Sequence, residues 1–151
     1  MVAEGTRRSG IGPELAQITE QIKQEYVART SASATAYDRA KGVMPGGDTR
    51  TVAFHPPYPL TIVKGEGYTL TDLDGNTYID VLNNYTSLIH GHAFGPITDA
   101  VTAQLQLGTN YAAALQAQAD LAEILTSRVK SVDKVRFTNS GTEATMMAIR
   151  G

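Results

Sequence analysis

The run Phe137-Thr138-Asn139-Ser140-Gly141-Thr142-Glu143-Ala144 has residue types and spacing suited to holding an anion. Val135-Arg136-Phe137-Thr138 reads as a short strand, and small residues then open a helix. The first N–H groups of a helix have no intrahelical acceptor and sit at the positive end of its dipole. Gly141 permits close approach to the backbone, and Ser140 and Thr142 add hydroxyl donors. Together they form a candidate phosphate cradle. The same residues also suit a plain capping box, with Ser140 as cap and Glu143 three residues on. Neither the P-loop pattern nor Gly-x-Gly-x-x-Gly is present, which disfavours those nucleotide-binding modes.

Other chemistry is less well supplied. His90-Gly91-His92 offers two metal donors, but no third lies at a recognisable ligand spacing, and no metal site is expected. The Gly-x-Ser-x-Gly pattern of a serine nucleophile is missing. Arg50, in Gly46-Gly47-Asp48-Thr49-Arg50-Thr51, carries a planar fork suited to carboxylates, yet a loop arginine also serves as a solvated surface charge. With no cysteine in 151 residues, disulfides, thiolate metal sites and thiol nucleophiles are excluded. A net charge of −2 gives no footprint for nucleic acid or an anionic membrane. No apolar run approaches the ~18 residues of a membrane span. The first residues lack the apolar core of a signal peptide, so a cytoplasmic location is expected. Asn84-Tyr85-Thr86 matches a glycosylation sequon by chance on this reading.

The elements that must position these residues are legible from periodicity. Residues 13–30 read as an amphipathic helix with Leu15, Ile18, Ile22 and Tyr26 on one face. A second helix is expected over 35–43, stopped by Met44-Pro45-Gly46-Gly47. Leu60 to Val63, Tyr68 to Leu70 and Thr77 to Asp80 read as strands. Asp72-Leu73-Asp74-Gly75-Asn76 is the turn of a small antiparallel meander. A helix begins at Gly95-Pro96, with Ile97, Val101 and Leu105 on one face, and ends at Gly108. Another covers about 115–129, and a last one 144–150. The chain thus reads as α/β, but with only the first strand of a parallel sheet, which suggests a piece of a larger domain.

Several segments in order are similar to one family: Met44-Pro45-Gly46-Gly47, Gly65-Glu66-Gly67-Tyr68, Asp72-Leu73-Asp74-Gly75-Asn76-Thr77-Tyr78-Ile79-Asp80, Gly91-His92 and Asn139-Ser140-Gly141-Thr142-Glu143-Ala144. Over residues 37–151 the chain resembles class III, pyridoxal-phosphate-dependent aminotransferases of fold type I. Within them it resembles the branch of glutamate-1-semialdehyde aminomutase and β-amino-acid (β-phenylalanine) aminotransferase. The resemblance implies an N-terminal helical segment (1–34) and a small-domain segment with the β-meander (35–93). The start of the large, mostly parallel cofactor-binding domain would follow (94–151).

It further implies that Ser140, Gly141 and Thr142 hold the phosphate of pyridoxal 5'-phosphate, that Arg50 binds the substrate carboxylate, and that Tyr85 lines the substrate pocket. Plain packing is the other reading of Tyr85. His92 would be structural. The expected activity is transfer of an amino group from an amino acid, plausibly a β-amino acid, to a 2-oxo acid by a homodimer. The aminomutase reaction is the alternative within the family, and a small anion-binding or interaction protein is the alternative outside it. The family's cofactor-bonded lysine and its aspartate on the pyridine nitrogen match nothing here. Lys23, Lys41, Lys64, Lys130 and Lys134 do not occupy that lysine's place, so no catalytic residue is assigned and the chain alone is expected to be inactive.

Overall fold

A computed structural model of the chain describes residues 12–49 and 54–150. Contacts divide it into two units, one ending at Ala100 and one beginning at Val101.

The first unit opens with helix α1 (Pro13–Arg29) and, after the single residue Thr30, helix α2 (Ser31–Lys41). Pro13 occupies the first turn of α1, where its missing N–H costs nothing. The α1 stripe is placed as its periodicity implies, but Leu15, Ile18 and Ile22 remain exposed. Tyr26 is the residue that packs. Its ring centroid lies 5.3 Å from that of Tyr58, and its hydroxyl donates to the Tyr58 carbonyl at 2.7 Å. Burial, followed by the neighbouring Tyr58, Tyr78, Asp72 and Asp74, pushes the Tyr26 hydroxyl up to about 12. A 3-10 turn (Pro45–Gly47) follows α2.

The predicted meander forms. Strands β1 (Ile62–Glu66), β2 (Thr69–Asp72) and β3 (Thr77–Ile79) pair antiparallel in the order β1-β2-β3. Lys64-Gly65-Glu66, expected to separate two strands, belongs to β1 instead. The reversal needs only Gly67 and Tyr68, with Gly67 at a φ of 54° that glycine adopts without steric cost.

The Asp72–Asn76 turn does more than reverse the chain. Asp72 is buried, and its Oδ1 accepts the backbone N–H groups of Asp74 and Asn76 at 3.0 and 2.8 Å. Its Oδ2 accepts the Asn76 side-chain amide at 2.9 Å and the Tyr78 hydroxyl at 2.8 Å. Burial alone would raise the Asp72 carboxyl, but these donors outweigh it and hold the group below the ordinary carboxylate range.

Asp74 reaches away from the turn to the start of α2. Its carboxylate accepts Ala32 N–H at 2.7 Å, Ser33 N–H at 3.0 Å and the Ser33 hydroxyl at 3.1 Å. Asn76 Nδ2 donates to the Arg29 carbonyl at the end of α1, at 2.9 Å. One turn therefore satisfies the open ends of two helices at their joint. This also explains why α2 begins at Ser31 rather than at 35. Thr30 makes no side-chain cap of its own; its hydroxyl is turned back to α1 and Tyr58, donating to the Tyr26 carbonyl at 2.6 Å and lying 3.0 Å from the Tyr58 hydroxyl. The cap arrives from 42 residues away. Asp74→Ala is expected to lower stability by about 1–2 kcal/mol, seen as a lower thermal midpoint. Asp74→Asn, which keeps one acceptor oxygen, should lose less.

After β3 the chain makes a single turn, α3 (Asn83–Thr86), and then helix α4 (Gly95–Leu107), whose second half lies in the second unit. Gly108 ends α4 at a φ of 99°, as the sequence implies, and its carbonyl accepts Gln104 Nε2 at 2.8 Å. The second unit continues with α5 (Gln116–Arg128) and α6 (Gly141–Arg150). Ile97, Val101 and Leu105 line one face of α4 as expected, and all three are exposed. Residues 135–138, expected as a strand, pair with nothing among the described residues and form no strand. An extended preference becomes a strand only when a neighbour takes its backbone hydrogen bonds. No described helix is long and apolar enough to cross a membrane.

Candidate functional site

Ser140, Gly141 and Thr142 lie together at the start of α6. The Ser140 cap foreseen for this turn is present, but Glu143 reaches one residue further back than a capping box requires, to Asn139 instead of the Ser140 N–H. Ser140 Oγ accepts Glu143 N–H at 3.2 Å, and Glu143 Oε2 accepts Asn139 N–H at 2.7 Å. Capping and anion binding are compatible here. Ser140 uses a lone pair in the cap, so its hydroxyl hydrogen remains a donor. Gly141 and Thr142 N–H, the first two of the helix, have no acceptor within it by construction.

The turn fits a phosphate on one further observation. A Cβ built on Gly141 meets nothing within 4 Å beyond its chain neighbours and its own helix backbone, so the described residues leave the space beside this glycine open at the start of the helix. Gly141 does not hold a left-handed backbone, so the absent side chain matters here and not the conformation. Glu143 points back to Asn139, which keeps its charge engaged with a backbone donor.

Tyr85 lies in the first unit, half exposed, on α3. Asn83, Asn84, Tyr85 and Thr86 all take positive φ, at 53°, 48°, 57° and 67°. Asparagine tolerates this region, but for Tyr85 and Thr86 it costs about 1–2 kcal/mol each. Contacts around the turn must offset that strain. Asp80 Oδ1 accepts the N–H groups of Leu82 and Asn83 at 3.0 and 2.8 Å. Asp80 Oδ2 takes the His92 Nε2–H at 2.7 Å. The hydrogen bond from His92, then the N–H of Asn83 and, more weakly, of Leu82, hold the Asp80 carboxyl below the usual range against the effect of burial.

His92 is fixed in turn by the meander. Its backbone exchanges two hydrogen bonds with Gly67, at 2.9 and 2.8 Å. Its ring lies where a side chain at Gly65 would be, since a Cβ there would come within 2.6 Å of His92 Cγ. A Cβ on Gly91, whose φ is 77°, would run into the Gly67 carbonyl. Gly65, Gly67, Gly91 and His92 are thus one interlock. Asp80 was not singled out from the sequence. Its acidic type, twelve residues before a histidine and three before a left-handed turn, is too common a pattern to mark it.

Arg50 lies outside the described residues. Of the expected site residues, Ser140, Gly141 and Thr142 are contiguous at the start of α6, and Tyr85 belongs to the other unit. Among the described residues no three His, Cys, Asp or Glu side chains gather as metal ligands would. Lys41 pairs with Asp38 at 2.7 Å and Lys64 with Glu66 at 2.6 Å, both on the surface.

Comparison with known proteins identifies the company this arrangement keeps. The family model described as aminotransferase class-III matches residues 51–151. β-Phenylalanine transaminase of Variovorax paradoxus is 40% identical over 126 residues, which are 83% of this chain and 29% of that protein. The crystal structure of a β-phenylalanine aminotransferase from the same organism superposes with a TM-score of 0.85 at 36% identity, over 89% of this chain and 31% of that one. Glutamate-1-semialdehyde 2,1-aminomutase of Methanothermobacter thermautotrophicus is 42% identical over 114 residues, or 76% of this chain and 27% of that protein. A solved transaminase with pyridoxal phosphate bound is 45% identical, with a TM-score of 0.78 over 80% of this chain and 28% of that one. The chain therefore spans less than a third of each relative.

Proposed function

The chain belongs to the class-III aminotransferases, and on that premise we propose that it is the N-terminal part of a pyridoxal-phosphate-dependent enzyme that moves an amino group from an amino acid to a 2-oxo acid. The observation that carries the reading is the α6 N-terminus, with two free backbone donors, two hydroxyls and open space at Gly141. When bound, the cofactor supplies the carbonyl that takes up the amino group and the ring that accepts electrons from the substrate carbon. This chain's part is to hold and orient. Gly141 and Thr142 N–H with the Ser140 and Thr142 hydroxyls would take the phosphate, and the α6 dipole favours its charge. Arg50 would grip the substrate carboxylate with its planar fork. The Tyr85 ring would give the pocket an apolar wall, suited to an aromatic or aliphatic group. We assign residues 1–34 to an N-terminal helical segment, 35–93 to the small-domain segment and 94–151 to the start of the large domain. A cytoplasmic homodimer is the expected working form.

Within the family, the β-amino-acid reading is supported by the likeness to β-phenylalanine transaminase. The aminomutase reading is its rival. In the complete enzyme, Arg50→Ala should raise the KM for carboxylate-bearing donors about 30-fold or more, as expected for loss of a bidentate charged contact. Arg50→Lys should recover only part. An unchanged KM for β-phenylalanine would remove Arg50 from carboxylate binding. Conversion of glutamate-1-semialdehyde with no external acceptor would favour the aminomutase.

A further inference from the structure

The Asp80–His92 pair has no part in the reading above, yet it stands directly behind Tyr85 in the chain of contacts. The residue Asp80 is half-buried, but its side chain is largely covered, with 7% of it exposed against 20% for His92. Its two oxygens do separate work. Oδ2 takes the imidazole N–H of His92, and Oδ1 takes the two backbone N–H groups that begin the left-handed turn, Leu82 and Asn83. The Asp80 backbone is held too, its N–H donating to the Tyr68 carbonyl at 2.8 Å. The His92 backbone is pinned by its pair with Gly67, and its ring sits in space that only glycine at 65 leaves open. Before it meets the turn, the carboxylate is thus held by the His92 imidazole on one side and by the Asp80 backbone bond to Tyr68 on the other.

The turn needs such an anchor. Four successive non-glycine residues in the left-handed region would relax to ordinary conformations if released. Relaxation would redirect the Tyr85 ring, because the backbone dihedrals of residues 83–85 set its direction. We infer that Asp80, oriented by His92, is a positioning residue for substrate binding, fixing the turn that carries Tyr85. The inference rests on the assignment of Tyr85 to the substrate pocket, and its test separates the two.

In the complete enzyme, Asp80→Ala should raise the KM for the amino donor about 10-fold with kcat within about twofold. Tyr85→Ala should have a similar effect. The double variant should be no worse than either alone, because Asp80 acts through Tyr85 and the two are coupled. Asp80→Asn keeps one acceptor for the two N–H groups and should recover to within about threefold of the parent. His92→Phe keeps a ring but removes the donor, and should fall between Asp80→Asn and Asp80→Ala. Hydrogen exchange read by mass spectrometry provides the second measurement. The peptide spanning residues 81–88 should exchange faster in Asp80→Ala, with residues 140–150 unchanged.

An Asp80→Ala effect that persists undiminished on a Tyr85→Ala background would overturn the inference, since Asp80 would then act elsewhere. So would an unchanged KM in Asp80→Ala where Tyr85→Ala raises it. If Tyr85→Ala itself changes nothing, the substrate role of Tyr85 fails. The exchange measurement then decides the rest: faster exchange over 81–88 keeps Asp80 as the anchor of the turn, and unchanged exchange removes that as well.

Discussion

Replacing Gly141 with aspartate should weaken pyridoxal phosphate binding by at least about 100-fold, or ~2.7 kcal/mol, without unfolding the protein. The two halves of this expectation have opposite signs, which is what makes the variant informative. A Cβ at 141 meets no atom within 4 Å beyond its chain neighbours and its own helix backbone, and the backbone there is not left-handed, so the described residues leave room for a side chain. An acidic residue in the first turn of a helix stabilises it by about 0.3–1 kcal/mol. Without cofactor, the variant should therefore melt at the parental temperature or slightly above it. With cofactor, the carboxylate occupies the space the phosphate needs and repels it. Two unit charges 4 Å apart at an effective dielectric of 20 differ by about 4 kcal/mol from no interaction. Titration followed by cofactor absorbance reads the affinity, and thermal unfolding without cofactor reads the fold. Unchanged affinity would move the phosphate away from this turn. Gly141→Ala should give a smaller loss, about 3–10-fold, from volume alone.

Asp72→Ala should destabilise the first unit by about 4 kcal/mol. Four donors converge on this buried carboxylate, from Asp74, twice from Asn76 and from Tyr78. A hydrogen bond to a charged group contributes about 1.5–3 kcal/mol. Their simple sum overstates the loss, because Asn76 and Tyr78 are only half-buried and water can reach part of what is left. Losing the turn also releases Asp74 and Asn76 from the two helix ends they hold, so urea unfolding should show the loss in the midpoint of the whole unit. The effect also has a pH signature. The Asp72 carboxyl is held below its ordinary 3.8 in the fold. A depressed folded value contributes stability above the unfolded pKa, and that stability is lost as pH falls through the folded value. The gap between the parent and Asp72→Asn should therefore be full at about pH 6 and narrow on acidification below about pH 4. A gap independent of pH would mean that Asp72 is not the ionised acceptor described.

How much of this could be read from sequence differs from residue to residue. Asp74-Gly75 announced a turn because turn chemistry is local. That Asp74 caps α2 was invisible, since its partners Ala32 and Ser33 lie more than 40 residues away and nothing in either segment names the other. The same blindness placed the start of α2 four residues late. The Ser140 cap was legible because cap, glycine and acidic residue sit within four positions, although α6 begins at Gly141, three residues before the expected Ala144. The 135–138 segment shows the reverse failure. Alternating apolar residues state a preference, and a strand also needs a neighbour. Asn83-Asn84 hinted at left-handed backbone, but Tyr85 and Thr86 oppose it, and only the Asp80–His92 support makes their conformation intelligible. Ser140, Gly141 and Thr142 could be argued from helix physics. Arg50 and Tyr85 became candidates through family resemblance, because a lone arginine and a lone tyrosine carry no spacing signal.

The most direct test of the central claim is a steady-state measurement on the complete enzyme. Initial rates of amino transfer from β-phenylalanine to a 2-oxo acid are recorded at several fixed acceptor concentrations, with and without added pyridoxal phosphate. The account predicts cofactor-dependent turnover with parallel double-reciprocal lines, as a carrier that alternates between donor and acceptor requires. No turnover with any amino donor in the presence of cofactor, and no cofactor absorbance change on titration, would contradict it.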